Sequence, residues 1–237
     1  MMPSLLDDVH VVLLRPRWAS NLGSVARAMK NFGLQKLTLV DSRIGSWTDA
    51  WRMGVQADDV LRAAVSTDDL AQALAPAMWI VGTTNEPPPG MRVLTPREVA
   101  TEAVERGAPT LLFGGEINGL DPAELLRCHA VSRIPTAPEQ SSLNLAQAVC
   151  IYAAELFLAH GQATPTTPGA PPTALADTGM MQRLEQALRH LLETSAWTDA
   201  TRPKNAIADL MQPLYRAQLT DAEVRAWLVA LNKAVRR

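Results

Sequence analysis

Short apolar runs alternate with helical patterns along residues 1–160 of this chain. Five runs rich in leucine and β-branched residues have the length of strands, at residues 9–14, 37–40, 78–81, 110–113 and 131–134. Strands that alternate with helices along a chain pair as a parallel sheet, and the helices cover the faces of that sheet. The pattern therefore predicts an α/β fold with a parallel sheet flanked by helices.

Local chemistry marks several helix starts. Thr95-Pro96-Arg97-Glu98 and Asp121-Pro122-Ala123-Glu124 each have a cap residue, then proline at the first helical position and glutamate at the third. Another helix is predicted to start at Leu143, and its buried face has near-helical spacing: Leu145, Ala148, Val149, Tyr152 and Leu156.

Two loops that follow predicted strands carry the polar residues of interest. They lie within residues 111–120, LLFGGEINGL, and residues 134–149, IPTAPEQSSLNLAQAV. Ligands of open α/β sheets collect beyond the carboxyl ends of the strands, so the two loops predict one small-molecule site. Neither loop is a standard nucleotide fingerprint. The absence of GxGxxG and GxxxxGK[ST] argues against NAD oxidoreductases and phosphate-loop NTPases.

A third polar segment, NLGSVARAMKNFG, spans Asn21 to Gly33. Helical geometry places Val25, Met29 and Phe32 on one face and leaves Arg27 roughly opposite, free to meet a ligand. Asn21 could cap this helix or could donate a hydrogen bond to a group beyond it. The neighbouring Trp18 could stack on a base, although a place in the core or in an interface is the commoner role of tryptophan.

Composition excludes several classes of protein. A hydrophobic fraction of 47% allows a substantial core, and the two cysteines, Cys128 and Cys150, predict reduced thiols rather than a disulfide. Neither a signal peptide nor an apolar run long enough for a bilayer is evident, which predicts a cytoplasmic protein without a membrane partner. The four histidines have no metal-ligand spacing, so no metal is expected.

Charge is unevenly distributed. The whole chain carries a net charge of −2, but residues 175–237 hold 9 basic and 7 acidic side chains. Five cations cluster near the start of the chain, and they predict either a phosphate-contacting face or an ordinary solvated surface: Arg15, Arg17, Arg27, Lys30 and Lys36. Residues 161–174 contain four prolines and no charge, as is typical of a semi-extended linker. Three amphipathic helical patterns follow this linker.

In order and spacing, the three polar segments resemble the motifs of the SPOUT superfamily of RNA methyltransferases, with greatest similarity to the TrmJ-type tRNA 2'-O-ribose methyltransferases. The resemblance implies a methyltransferase domain at residues 1–160 with a deep trefoil knot, then the linker at 161–174 and a small helical domain at 175–237. It also implies a homodimer. The expected reaction is S-adenosyl-L-methionine-dependent 2'-O-methylation of tRNA at the first nucleotide of the anticodon loop, a cytidine or uridine.

The resemblance also implies a set of site residues. Cofactor-binding positions are Thr83, Thr84, Asn85, Gly114, Glu116, Gly119, Ile134, Ser141, Ser142 and Leu143. Catalytic positions are Asn21, Arg27, Glu116, Ser142 and Asn144. Because arginine stays protonated, Arg27 is expected to clamp the RNA phosphate and stabilise developing alkoxide charge, while Glu116, Ser142 and Asn144 orient the ribose. The motifs assign no residue to accept the proton of the 2'-hydroxyl.

Two single residues and one five-residue segment depart from the TrmJ-type pattern. Gly115 stands where an arginine is frequent, Gln140 replaces a frequent aromatic residue, and residues 85–89, NEPPP, lack the usual basic side chains. Fewer cations mean fewer phosphate contacts. Two alternatives therefore remain beside the tRNA methyltransferase: a ribosomal RNA 2'-O-methyltransferase and a catalytically silent RNA-binding relative. The positive helical tail is expected to recognise tRNA.

Overall fold

A computed structural model describes residues 5–162, 175–195 and 206–235. Apart from residues 161 and 162, the predicted linker lies outside this range. The described residues divide into two compact units. The first unit contains the described residues up to Ala73 and those from Trp79 to Gln162. The second unit contains Leu74–Met78 and the described residues after the linker.

The first unit is built on a seven-stranded sheet in the order β3-β2-β1-β6-β4-β7-β5, with every neighbouring pair parallel. Its strands are β1 His10–Leu14, β2 Lys36–Val40, β3 Val65–Thr67, β4 Ile80–Thr83, β5 Val93–Leu94, β6 Thr110–Gly114 and β7 Ala130–Ser132. Its helices are α1 Leu5–Asp8, α2 Ala19–Asn31, α3 Thr48–Met53, α4 Asp58–Ala63, α5 Leu70–Leu74, α6 Pro96–Arg106, α7 Pro122–Leu125 and α8 Leu145–Gln162. The predicted parallel α/β architecture is confirmed.

The core explains why the central strands are continuously apolar. Val11 and Leu13 of β1 and Leu111 of β6 pack with α2, α6 and α8 in one hydrophobic cluster. The alternate residues Val12 and Leu112 are also fully buried. Burial of both sets of side chains is typical of parallel strands covered on both faces, and it accounts for runs without polar alternation.

Capping residues in the sequence predicted the helix starts more accurately than apolar runs predicted the ends of the strands. Both predicted capping boxes form, at Thr95 with Glu98 and at Asp121 with Glu124. The helix predicted from Leu143 starts instead at Leu145, because the Asn144 side chain accepts a hydrogen bond from Ala146 N and caps it. Ala148, predicted to be buried, is half-buried.

Two strand boundaries and two omissions need correction. The strands predicted at 78–81 and 131–134 lie at β4 and β7, which are shifted along the chain. The short edge strands β3 and β5 were not predicted at all. They hold three and two residues, and Val65 and Val93 are exposed, so neither has the apolar run that marks a buried strand.

The described residues of the second unit after the linker form three helices, α9 Thr178–Thr194, α10 Ala206–Ala217 and α11 Asp221–Val235. Each of the three amphipathic patterns falls on one of them. Their inward faces share one cluster that includes Met181, Leu184, Met211 and Val224. Asp177 caps α9 by accepting a hydrogen bond from Met180 N. In the described parts of the chain, no helix combines the length and apolarity needed to cross a membrane.

A buried histidine joins β4 to β7 and makes the fold sensitive to acid. His129 is only 6% exposed, and its Nδ1 accepts a hydrogen bond of 2.9 Å from Ile80 N. Burial, together with the positive charge of Arg106, lowers the pKa of His129 from 6.5 to about 4. Protonation at Nδ1 would abolish this acceptor. The neutral imidazole is therefore the form that the fold stabilises.

We expect the free energy of unfolding to fall by about 3 kcal/mol between about pH 6.5 and about pH 4 through His129 alone. The unfolded chain takes up the proton first in this window because its imidazole is the stronger base. Urea unfolding as a function of pH measures this loss. His129→Gln keeps an acceptor for Ile80 N and should flatten the dependence, whereas His190→Gln removes an exposed imidazole and should not. Equal slopes for both variants would contradict the assignment.

Candidate functional site: a polar cavity at the carboxyl ends of three strands

The predicted site residues converge at one edge of the sheet. The strands β6, β4 and β7 are neighbours, so the loops after Gly114, Thr83 and Ser132 leave the sheet side by side. These loops and the start of α8 surround a cavity of about 730 Å³. This volume is within the usual range for small-molecule sites. Its lining includes all ten predicted cofactor positions: Thr83, Thr84, Asn85, Gly114, Glu116, Gly119, Ile134, Ser141, Ser142 and Leu143.

The charge of the lining favours some ligands over others. Among the described residues that line the cavity, the ionisable side chains with charge at neutral pH are the carboxylates Glu86 and Glu116; lysine, arginine and histidine are absent. Phosphate groups are normally held by cations or by the free amides of helix N-termini, and at the start of α8 the Ala146 amide already donates to Asn144 Oδ1. The lining therefore suits a neutral or cationic polar ligand better than a nucleoside diphosphate or triphosphate.

Glu116 connects this cavity to the start of α2. Its Oε2 accepts a hydrogen bond of 2.9 Å from Arg17 N, and its Oε1 accepts bonds from Trp18 N at 3.3 Å and Asn21 Nδ2 at 3.0 Å. Three donors satisfy the carboxylate without a cation. The charge also lies where the unpaired amides of a helix N-terminus favour an anion.

Asn21 also contacts the residue that precedes α8, Asn144. Its Oδ1 accepts a hydrogen bond of 2.9 Å from Asn144 Nδ2, and Asn144 Oδ1 in turn accepts one of 2.8 Å from Ala146 N. Of the two roles considered for Asn21, the bond beyond its own helix is the one observed, since α2 has Trp18 at its N-cap and no side-chain cap. Glu116, Asn21 and Asn144 thus join all three polar segments.

Arg27 lies apart from this network. It is exposed on α2, about 1.7 turns beyond Asn21, and does not line the cavity. No hydrogen bond or ion pair to another described residue holds its guanidinium. Its side chain is therefore available to a ligand.

Ser141 and Ser142 also line the cavity, just after the short 3₁₀ helix Pro138–Gln140. Asn85 Nδ2 donates a hydrogen bond of 3.2 Å to Ser141 Oγ, which ties the loop after β4 to the loop before α8. Ser142 is exposed and lines the cavity.

Comparison with known proteins assigns the fold and the motifs to a family. Residues 8–154 match the SpoU rRNA Methylase family. The chain belongs to this family. It is 37% identical to the tRNA (cytidine/uridine-2'-O-)-methyltransferase TrmJ of Pectobacterium atrosepticum, with 84% of this chain and 83% of that protein covered. It is also 34% identical to the tRNA (cytidine/uridine/adenosine-2'-O-)-methyltransferase TrmJ of Pseudomonas aeruginosa, with 93% and 91% covered.

A solved structure extends the similarity. The crystal structure of TrmJ from Z. mobilis ZM4 superposes with a TM-score of 0.83 at 28% identity and covers 95% of this chain and 98% of that one. The motif-based prediction of an RNA methyltransferase of this family is therefore confirmed.

The Gly114–Gly119 loop explains one departure from the TrmJ-type pattern. A Cβ at Gly115 would lie 2.4 Å from the backbone oxygen of Arg15, so no side chain fits there unless the backbone moves. Gly119 has a φ of +63° and donates from its backbone N to Gly115 O at 2.9 Å. The close approach of the main chain at Arg15 to this loop thus leaves no room for an arginine side chain at position 115.

The basic cluster near the start of the chain is mostly neutralised. Arg15 makes a bidentate pair with Glu124, at 2.5 and 2.8 Å, and its Nη2 also donates to Gly119 O at 3.4 Å. Lys30 pairs with Asp59, and Lys36 with Asp8. Of the two interpretations of the five cations, the ordinary surface is favoured for these three, because the fold brings carboxylates to them from distant positions in the sequence.

Two residues at the cavity floor were not predicted as part of the site. Tyr152 OH donates a hydrogen bond of 2.7 Å to Ser132 Oγ, which donates to Leu94 O at 2.8 Å. Burial raises the pKa of Tyr152, so its phenol stays protonated. The sequence analysis assigned Tyr152 to the core from its helical spacing. A buried tyrosine hydroxyl needs a hydrogen-bond partner, and this requirement could have predicted a polar group beside Tyr152 at the cavity floor.

Proposed function

We propose that this protein transfers a methyl group from S-adenosyl-L-methionine to a ribose 2'-hydroxyl of tRNA, at the first nucleotide of the anticodon loop. The observation that carries the proposal is the cavity in which all ten predicted cofactor positions meet. The names of the relatives support tRNA as substrate and cytidine or uridine as target. The relative from Pseudomonas aeruginosa also acts on adenosine by its name, so the range of bases belongs among the questions for experiment.

The residues present fit the proposed cofactor. S-Adenosyl-L-methionine supplies a methyl group on a positively charged sulfonium, and a lining with carboxylates and no cation suits this charge. Backbone groups of the loops after β4, β6 and β7 would hold the adenosine, together with the hydroxyls of Thr84, Ser141 and Ser142. The glycines of the 114–119 loop allow the backbone to approach a ligand closely.

We assign different roles to the five predicted catalytic positions. Arg27, exposed and unpaired among the described residues, holds an RNA phosphate and stabilises negative charge that develops on the 2'-oxygen. Ser142, exposed in the lining, orients the ribose. The hydrogen bonds of Asn21 to Glu116 and Asn144 hold the three polar segments together. These three residues therefore position the residues that contact the ligand.

The remaining parts of the proposal concern assembly. The family resemblance supports a deep trefoil knot in a methyltransferase domain at 1–160, a linker at 161–174 and a helical domain at 175–237 that recognises tRNA. The tail carries 9 basic against 7 acidic side chains, which favours contacts to phosphates. We propose a homodimer in the cytoplasm that needs no metal. Among the described residues, no group of three potential metal-ligating side chains occurs.

Calorimetry and mass mapping of RNA test the proposed function together. The protein should bind S-adenosyl-L-methionine or its demethylated product, and should add one ribose methyl group to a tRNA transcript. Ser142→Arg places a bulky positive charge in a lining that otherwise suits a cationic ligand, and it should abolish cofactor binding. Thr101→Arg adds the same charge at an exposed position of α6 and should leave binding unchanged.

Three results would count against the proposal. Absence of binding at millimolar ligand rules out the cofactor. Methylation of ribosomal RNA with none on tRNA favours the ribosomal alternative. Tight tRNA binding without methyl transfer identifies a catalytically silent relative.

A further inference from the structure

An exposed tryptophan stands at the junction between α2 and the cavity wall. Trp18 is 48% exposed, which excludes the core position that is usual for this residue type. Its backbone N donates to Glu116 Oε1 at 3.3 Å, and Glu116 lines the cavity. The indole therefore projects from a backbone that directly supports the cavity wall.

The residue before it is an arginine, Arg17. Arg17 is exposed, and no described carboxylate pairs with its guanidinium, whereas Arg15, Lys30 and Lys36 nearby are all paired. Its backbone N donates to Glu116 Oε2 at 2.9 Å. One carboxylate thus fixes the main chain of both Arg17 and Trp18.

An aromatic ring next to an arginine with which no described carboxylate pairs matches the chemistry of single-stranded RNA. Bases of single-stranded loops stack on aromatic rings, and arginine contacts the phosphates between them. The anchored main chain lowers the entropy that is lost when the two side chains become ordered on binding. Exposed Ile117, on the loop that carries Glu116, adds apolar surface beside the cavity.

We propose that Trp18 and Arg17 form a contact surface for single-stranded RNA at the mouth of the cavity. A base next to the target nucleotide stacks on the Trp18 indole, and Arg17 binds the adjoining phosphate. This inference rests on the proposed RNA substrate. It adds a stacking residue to that function, outside the five catalytic positions.

Binding of a labelled tRNA transcript, measured by fluorescence anisotropy with the demethylated cofactor present, tests the surface. Trp18→Ala should raise the Kd for RNA about tenfold, because loss of one base–aromatic stack typically has an effect of this size. Trp18→Phe keeps a ring and should recover most of the affinity. Arg17→Ala should weaken binding and lower the slope of log Kd against log salt concentration by about one.

Trp51→Ala is the matched control, since Trp51 is 37% exposed on α3, in the same unit. It should leave RNA affinity unchanged, and Kd for the demethylated cofactor should be the same in all variants. Equal RNA affinities of Trp18→Ala and Trp51→Ala would overturn the inference. So would a lower mass of Trp18→Ala by light scattering, which would place the ring in a contact between subunits.

Different results would contradict the proposed function and the stacking surface. Wild-type protein that binds no cofactor and methylates no tRNA contradicts the proposed function. Wild-type protein that methylates tRNA while Trp18→Ala matches it in RNA affinity contradicts only the stacking surface.

Discussion

Arg27→Ala should lower the rate of tRNA methylation by about 10²–10³-fold, the usual effect of removing one preorganised charge contact to the transition state. Cofactor affinity should be unchanged, because Arg27 does not line the cavity. Stability should also be unchanged, since Arg27 is exposed and forms no ion pair with a described residue. Single-turnover rates at saturating cofactor and RNA give the measurement.

Lys30→Ala is the control on the same helix. Lys30 is exposed and pairs with Asp59 on the surface, and a surface pair of this kind contributes little to stability. Its variant should methylate tRNA at nearly the wild-type rate. Methylation by Arg27→Ala at the rate of Lys30→Ala would show that Arg27 has no part in the reaction.

Gly114→Ala should weaken cofactor binding by about tenfold or more, since displacement of the loop removes hydrogen bonds to the ligand that contribute about 1 kcal/mol each. A Cβ at Gly114 would lie 2.0 Å from the carbonyl carbon of Gly119 and 2.3 Å from Leu120 N. These are backbone atoms that cannot rotate away. The whole loop, including Glu116, would have to move.

Gly45→Ala provides the comparison, because a Cβ at Gly45 meets no atom of a described residue within 4 Å. Calorimetric titration of both variants with the demethylated cofactor measures the difference. If Gly114→Ala binds as tightly as Gly45→Ala, the 114–119 loop is not part of the cofactor site.

Features that depend on neighbouring residues could be predicted from the sequence. The capping boxes at Thr95 and Asp121 formed as expected, because both partners of each hydrogen bond lie within four residues. The buried strands β1 and β6 were recognised because apolar runs of this length are stable only inside a covered sheet. The loops after β6 and β7 were expected to meet because parallel strands direct their carboxyl ends to one edge, and both loops line one cavity.

Contacts between distant residues were decided only by the tertiary structure. Glu116 and Asn21 were both selected as site residues, but their hydrogen bond to each other spans 95 positions, and periodicity contains no information on such a pair. The bidentate pair of Arg15 with Glu124 spans 109 positions and turned an expected phosphate contact into a support for the Gly119 loop. Edge strands β3 and β5 likewise depend on the strand beside them for their hydrogen bonds.

The sequence by itself therefore determined the class of fold, the three polar segments and their family. The partners of each polar side chain follow from the strand order and the packing of α2 against α8, because a hydrogen bond or ion pair forms only where the folded chain brings donor and acceptor within about 3 Å.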